Sequence, residues 1–372
     1  MAFNNECIFL NVSEHELESY QYSKVDRVFL SLVFPILLFV GLVSNAAFIY
    51  VVIHVAYMRT ITNYYLVALS IADIFFLLFT VGDKMFRYHL SPLVGTYDSV
   101  YGSFGCAFAT FFWSMTYFAS IGFVTLVSFE RYCAVCRPTQ VFSGKVTAKQ
   151  RARNLIIVNT LFSAFLALTF VPGNIEYLLL CYLWPETISD MPDSTGVCLP
   201  IHPNFLFYTY GVQTLPFFVA FVFNVFLYAR ILNELKKRER NIERSDNALV
   251  DSTKRRNQIT MMLIVNGILF FILLAPFEII SIVWMFTDMF VQHQDNITNQ
   301  PFTLLLADIA RSLSYLNSAI NVLVYTALSP RYTKAFWDTY CSLCHGWNCP
   351  SRGSYQRADE LNTNETRTTA NL

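Results

Sequence analysis

The chain has 372 residues, of which 55% are hydrophobic, 16% aromatic and only 14% charged, and its formal net charge is zero. Soluble domains carry about 25% charged residues, so this chain is too apolar for water, and a balanced charge argues against a nucleic-acid partner. The nine cysteines show no paired CxxC…CxxC spacing and the histidines are scattered, which leaves no metal-ligand cluster to argue.

Residues 1–27 are polar and acidic with no apolar leader, so an extracellular tail without a cleavable signal peptide is expected. Asn11-Val12-Ser13 within it is a glycosylation sequon. Seven apolar segments follow, at roughly 28–57, 62–87, 103–136, 150–172, 204–234, 256–287 and 301–328. A spanning helix needs about 20 apolar residues, and each segment is long enough. The expected fold is therefore an all-α integral membrane protein, a seven-helix bundle over 28–328.

Charge in the connections sets the orientation. The loop 137–153 holds Arg137, Lys145, Lys149, Arg151 and Arg153 with no acid, and 230–256 holds nine Lys or Arg against five acids. By contrast 173–203 holds Glu176, Glu186, Asp190 and Asp193 with no base, and 288–300 has two Asp and no base. With the basic loops inside, the N-terminus lies outside. Asn11 and the second sequon, at Asn296, then both face the exterior of a multi-pass plasma-membrane protein. The mixed-charge stretch 236–256 reads either as a solvated helix extension or as a partner-contact surface.

The third segment carries the most specific pattern. Between Cys106 and Glu130 run twenty-three residues, AFATFFWSMTYFASIGFVTLVSF, without a charge or a histidine. A helix from Cys106 to Arg131 covers roughly 37 Å at 1.5 Å per residue, which sets the cysteine at one interface and Glu130-Arg131-Tyr132 at the other. That triplet, with Ala134 and Pro138 after it, resembles the Asp/Glu-Arg-Tyr signature of rhodopsin-like G-protein-coupled receptors, and the likeness extends over about 28–340.

The resemblance implies a disulfide between Cys106 and Cys198. Cys7 and Cys181 are candidates for a second bridge or for free thiols. It implies that Arg131, flanked by Glu130 and Tyr132, meets the G protein when helix six moves out, with Asn321 and Tyr325 closing behind it. Pro216, Ile121 and Phe270 match the family's contact behind the ligand pocket, and Pro276 its helix-six proline. Intramembrane polar groups are costly and functional by default: Asp73, Ser120, Asn317, Ser318 and Asn321 match a sodium pocket, with Asn45 in the same network. Sodium binding and a purely hydrogen-bonded network both remain open, and no other cofactor is implied. Several positions depart from the family. Leu274 stands in place of a Trp, Val322 in place of a Pro, Asn224 in place of a Tyr with Tyr228 a turn further, and Arg256 in place of an acid; helix four has no Trp.

The pocket narrows the ligand class. Trp113 stands where amine receptors need an Asp, and Tyr315 where opsins need a Lys, which argues against both. Charged residues sit in the outer halves of the helices: Asp83, Lys84, Arg87, Glu278 and Arg311. Glu278 and Arg311 read either as an internal ion pair or as partners for charged ligand groups. The lining is otherwise aromatic (Trp113, Tyr117, Phe277, Tyr315), and an acidic outer loop steers cations inward. A short, basic, aromatic neuropeptide is the expected ligand. The competing readings are a receptor for an amino acid or lipid and, more distantly, a channel or transporter, for which the lack of internal repeats is unfavourable. No His cluster or Asp pair within the spans suggests an enzyme.

After the seventh segment, basic and aromatic positions alternate from Pro330 to Trp337, as in a membrane-surface amphipathic helix, expected over 329–340. Cys341, Cys344 and Cys349 are candidates for palmitoylation or free thiols. The cytoplasmic tail 341–372 reads as disordered, its end rich in Ser, Thr and Asn. Arrestin and a receptor kinase are the tail's expected partners, beside the G protein and the lipid membrane.

Overall fold

The structure is a computed structural model that describes residues 7–13, 17–94, 102–137, 147–185, 191–242, 247–290 and 301–343. Pro138, Lys145, Glu186, Asp190, Asn296, Cys344, Cys349 and the rest of the tail lie outside the described residues.

Among the described residues, six helices are long and apolar enough to cross a membrane. They are α1 (Lys24–His54), α2 (Ile61–Leu90), α3 (Gly102–Cys136) and α4 (Ala148–Gly173), then α5 (Asn204–Ile242) and α6 (Asn247–Phe290). Two further helices follow, α7 (Pro301–Leu328) and α8 (Pro330–Leu343). Capping explains several starts. A Ser23–Asp26 capping box begins α1, four residues before the expected boundary. Thr60 caps α2 by accepting from the Asn63 N–H, and Thr147 caps α4 by accepting from that of Gln150. Both α5 and α6 extend beyond their apolar segments into the mixed-charge stretch, so much of 236–256 is helical.

α3 is the central post: it packs on α2, α4 and α5, while α7 packs on α1 and α6. It buries a larger share of its apolar window than the other five. Gly41 allows α1, α2 and α7 to meet. A Cβ there would lie 2.2 Å from Leu77 Cδ1 and 3.3 Å from the Ala319 backbone.

The expectation of an all-α chain needs correction. β1 (Ile8–Asn11) runs parallel to β2 (Glu176–Leu183), which pairs antiparallel with β3 (Ser194–Leu199). The N-terminal segment is thus part of a three-stranded sheet over the end of the bundle opposite Arg131. Two disulfides fasten it: Cys7–Cys181 ties β2 to the residue before β1, and Cys106–Cys198 ties β3 to α3. Sheet pairing satisfies backbone groups that a loop near the apolar bundle would otherwise leave without partners.

α8 runs three residues past its expected end and so includes Cys341. Tyr332 and Ala335 are buried, and Tyr332 packs on Phe48 and Tyr325, whereas Trp337 is 62% exposed.

Candidate functional site

Three clusters of polar side chains lie along the bundle. At the first, Arg131 donates from Nε to Glu130 Oε2 at 2.6 Å and from its guanidinium to the Thr62 hydroxyl. Thr62 in turn donates to Glu130 at 3.2 Å. Arg131 is therefore held by α3 itself and by the first turn of α2. Thr62 escaped the sequence reading because a threonine near a helix start looks like ordinary capping chemistry.

Arg131, Arg238 and Arg256 line a small cavity of about 60 Å³ between α3, α5 and α6, with Asn257 and Thr260. Arg238 donates to the Val135 carbonyl. Tyr132 lies beneath the Arg137 guanidinium, 6.0 Å from its ring centroid. Tyr228 faces α3, its hydroxyl 2.8 Å from that of Ser128. It passes where Gly267 on α6 has no side chain: a Cβ there would lie 1.7 Å from the hydroxyl. Tyr325 is buried beside Phe48 and accepts a hydrogen bond from Asn266 at 3.5 Å.

Midway along the bundle, Asp73 is fully buried. It accepts from Ser120 at 3.3 Å, Ser318 at 2.9 Å and Asn321 at 2.8 Å, which joins α2, α3 and α7. Asn45 donates to the Gly41 and Ser318 carbonyls, both at 2.9 Å, and its Oδ1 has no partner. Asn317 is buried nearby in sequence but is not among the hydrogen-bond partners of Asp73. Ile121, Phe270 and Leu274 lie in one apolar core, and Pro216 and Pro276 sit inside α5 and α6.

Nearer the sheet, Glu278 on α6 is fully buried. The Tyr117 hydroxyl donates to its Oε1, as does Gln213 Nε2 at 3.4 Å; Gln213 also donates to Ser281 at 3.0 Å. Thr214 lies close enough to act on the Glu278 carboxylate, but neither Glu278 Oε2 nor Thr214 Oγ1 makes a hydrogen bond of good geometry. The Glu278–Arg311 ion pair is not formed. Arg311 instead pairs with Asp308, less than one turn back on α7, at 3.0 Å, and lies 5.8 Å from the Trp284 ring. A local pair on one helix needs no deep burial of the guanidinium, whereas neutral donors serve Oε1 of Glu278 where it lies. Asp83 pairs with Arg87, and Lys84 sits over the rings of Phe34 and Tyr315 at 5.7 and 5.8 Å.

An aromatic row links these groups: Phe34–Tyr315 at 5.4 Å, Tyr315–Phe76 at 6.1 Å and Phe76–Tyr117 at 6.5 Å. Trp113 turns towards α4, edge-on to Phe170 at 5.6 Å, and Phe277 is half-buried. Gln213, Thr214 and Ser281 were not legible as site residues, since single uncharged polar residues in an apolar helix carry no spacing signal. Outside this cluster, Asn11 is exposed on β1.

A model of the family described as "7 transmembrane receptor (rhodopsin family)" matches residues 44–325. Neuromedin-U receptor 2 of Homo sapiens is 26% identical over 322 residues, covering 86% of this chain and 73% of that protein. Neuromedin-U receptor 1 of Homo sapiens is 29% identical over 331 residues, covering 82% and 72%. The thyrotropin-releasing hormone receptor of Bos taurus is 28% identical over 327 residues, covering 80% and 74%.

Proposed function

Because the chain belongs to the rhodopsin family of seven-transmembrane receptors, a family of G-protein-coupled receptors and not of enzymes, we propose that its ligand is a short peptide presenting a basic group. The observation that carries this is Glu278, a carboxylate sealed among uncharged donors with one oxygen left without a partner. A guanidinium or amine is the group that completes it. The relatives above, named for neuromedin U and thyrotropin-releasing hormone, support the same ligand class.

In this reading α7 is the seventh span, α8 lies on the inner membrane surface, and the sheet with the N-terminus faces outside. Asn11 is then available for glycosylation, and Cys341, Cys344 and Cys349 for palmitoylation, while arrestin and a receptor kinase act on the cytoplasmic tail. The ligand enters beside the sheet and parts the Tyr117–Glu278 contact. Its binding favours the state with α6 displaced, and the cleft beside Arg131 then widens to admit a heterotrimeric G protein.

The test is a calcium and cyclic-AMP response in cells expressing this chain, challenged with amidated and unmodified neuropeptides. The active peptide is expected to lose potency at least about tenfold on Glu278→Gln, equivalent to about 1.4 kcal/mol. Potency within twofold of wild type on that variant moves the ionic contact elsewhere. A silent library against a signalling-competent chain favours a small non-peptide ligand.

Sodium is the second element of the proposal. The oxygens of Asp73, Ser120, Ser318 and Asn321 suit a hard cation, and the orphaned Asn45 Oδ1 supplies another acceptor at the same level. An ion bridging α2, α3 and α7 favours one helix arrangement and so opposes a ligand that favours another. Agonist affinity is expected to fall as sodium replaces a large organic cation in wild type, and Asp73→Asn to abolish the dependence. Sodium-indifferent affinity in wild type leaves the hydrogen-bonded network alone.

A further inference from the structure

The small cavity of about 60 Å³ between α3, α5 and α6 is walled by three guanidiniums, those of Arg131, Arg238 and Arg256, beside Val135, Asn257 and Thr260. No acid lines it. Two of the three cations have a carboxylate, in each case on their own helix. Arg131 pairs with Glu130, its neighbour in sequence, at 2.6 Å, and Arg238 with Glu234, one turn back, at 3.5 Å. Neither pair joins one helix to another. Arg256 is exposed and enters no ion pair among the described residues. One positive charge is thus left over around a space in which like charges repel.

We propose that this cavity is a binding site for one inorganic phosphate ion, held between the guanidiniums of α3, α5 and α6. The space is that of about two water molecules, which suits one small tetrahedral anion and excludes a larger organic one. Recognition chemistry decides the class. A guanidinium offers five N–H donors in a planar fork, and that fork matches the paired oxygens of an oxyanion. Arg131 directs Nε to Glu130 and one Nη to Thr62, and Arg238 directs one Nη to the Val135 carbonyl. Other N–H groups of both remain for an anion, together with the whole fork of Arg256. Asn257 adds an uncharged amide donor, whereas the Thr260 hydroxyl is committed to the Arg256 carbonyl at 3.0 Å and only closes the wall. A spherical halide gains less from such forks, so the site prefers phosphate or sulfate to chloride.

The site needs no extracellular ligand and stands whatever enters beside the sheet. Its consequence for signalling rests on the reading that α6 moves out to admit a G protein. Arg256 then leaves with α6, so a phosphate that ties it to Arg131 and Arg238 opposes that step.

The experiment is equilibrium dialysis of the purified full chain, in detergent micelles without added phospholipid, against radiolabelled orthophosphate at constant ionic strength. Wild type is expected to bind it saturably at one ion per receptor, with displacement by sulfate and little by an equal concentration of chloride. Arg256→Gln is expected to lower the affinity at least about tenfold, equivalent to about 1.4 kcal/mol. Lys149→Gln, which removes a cation of α4 outside the cavity, is expected to leave it unchanged. Thermal unfolding gives a second readout that also reports the fold of each variant. Phosphate is expected to raise the midpoint of wild type, as any ligand of the native state does, and to raise that of Arg256→Gln much less. Absence of saturable binding in wild type overturns the proposal, as does unchanged affinity in Arg256→Gln. Equal displacement by chloride, or an equal loss in Lys149→Gln, also overturns it, because either shows diffuse attraction to a basic surface. Binding of a short-chain phosphoinositide by a receptor that leaves orthophosphate unbound overturns it as well, since the phosphate is then recognised only on a lipid.

Discussion

Cells expressing Arg131→Ala are expected to give no G-protein response to any agonist, with surface expression close to wild type. Arg131 lies at the end of α3, bound to Glu130 on its own helix and to Thr62 on α2, and it lines the α3–α5–α6 cavity. It does not hold the bundle together: its side chain is 19% exposed, and its removal opens no large apolar cavity. Folding therefore tolerates the change. The G protein, by contrast, loses the cation at the floor of the cleft it enters. Signalling of normal amplitude from this variant, at matched surface density, would sink the role assigned to Arg131.

The same geometry gives that variant an informative companion. Arg256 on α6, and no acid, lines the cavity beside Arg131. Among the described residues the side-chain hydrogen bonds of Arg131 go to Glu130 and Thr62. Thr62→Val removes one hydrogen bond to each of them, worth about 1 kcal/mol, and ligand-independent signalling is expected to rise about fivefold. Radiolabelled GTP-analogue binding to membranes without agonist reads both variants together. The expected order is Thr62→Val above wild type and Arg131→Ala at background.

What the sequence disclosed about this molecule follows from how each feature is encoded. The seven apolar segments all coincide with helices because hydrocarbon composition and helix length are the same constraint read twice. The group around Asp73 was legible because an acid in an apolar segment is conspicuous whatever surrounds it. The three-stranded sheet was not, because β1 and β2 lie far apart in sequence and neither shows a clear alternation. Nor could spacing decide whether Cys7 and Cys181 pair, since cysteine connectivity is set by the fold and not by the count. The choice of Arg311 for Asp308 over Glu278 depended on the rotation of α7 and on a tyrosine and a glutamine already serving Glu278. Residue identity shows which groups carry charge, whereas their pairing is settled only once helix rotations are known.

Cys198→Ser is expected to cost more ligand binding than any single substitution among the pocket residues. The Cys106–Cys198 bond joins positions 92 residues apart, and removal of a native disulfide costs roughly 2–5 kcal/mol in small secreted domains. The geometric consequence matters more here. Cys198 carries the disulfide that ties β3 to α3, against which β2 and β3 also pack, while β2 keeps its own bond from Cys181 to Cys7. With Cys198 gone the hairpin stays closed by its ladder and stays attached to the N-terminal strand, but the sheet loses its covalent tie to α3 and is held there by packing alone. The sheet at the Cys106 end of α3 is then held less firmly. Cys7→Ser leaves that tie intact and removes one fastening of β1, whose ladder to β2 remains, so its effect on affinity is expected to be at least about tenfold smaller, a difference of about 1.4 kcal/mol. Saturation binding of the active peptide to surface-exposed receptor, normalised to surface density, separates the two. Equal losses would mean that the N-terminal strand itself forms part of the ligand's path. Unchanged affinity in Cys198→Ser would show that the ligand reaches Glu278 without help from the sheet.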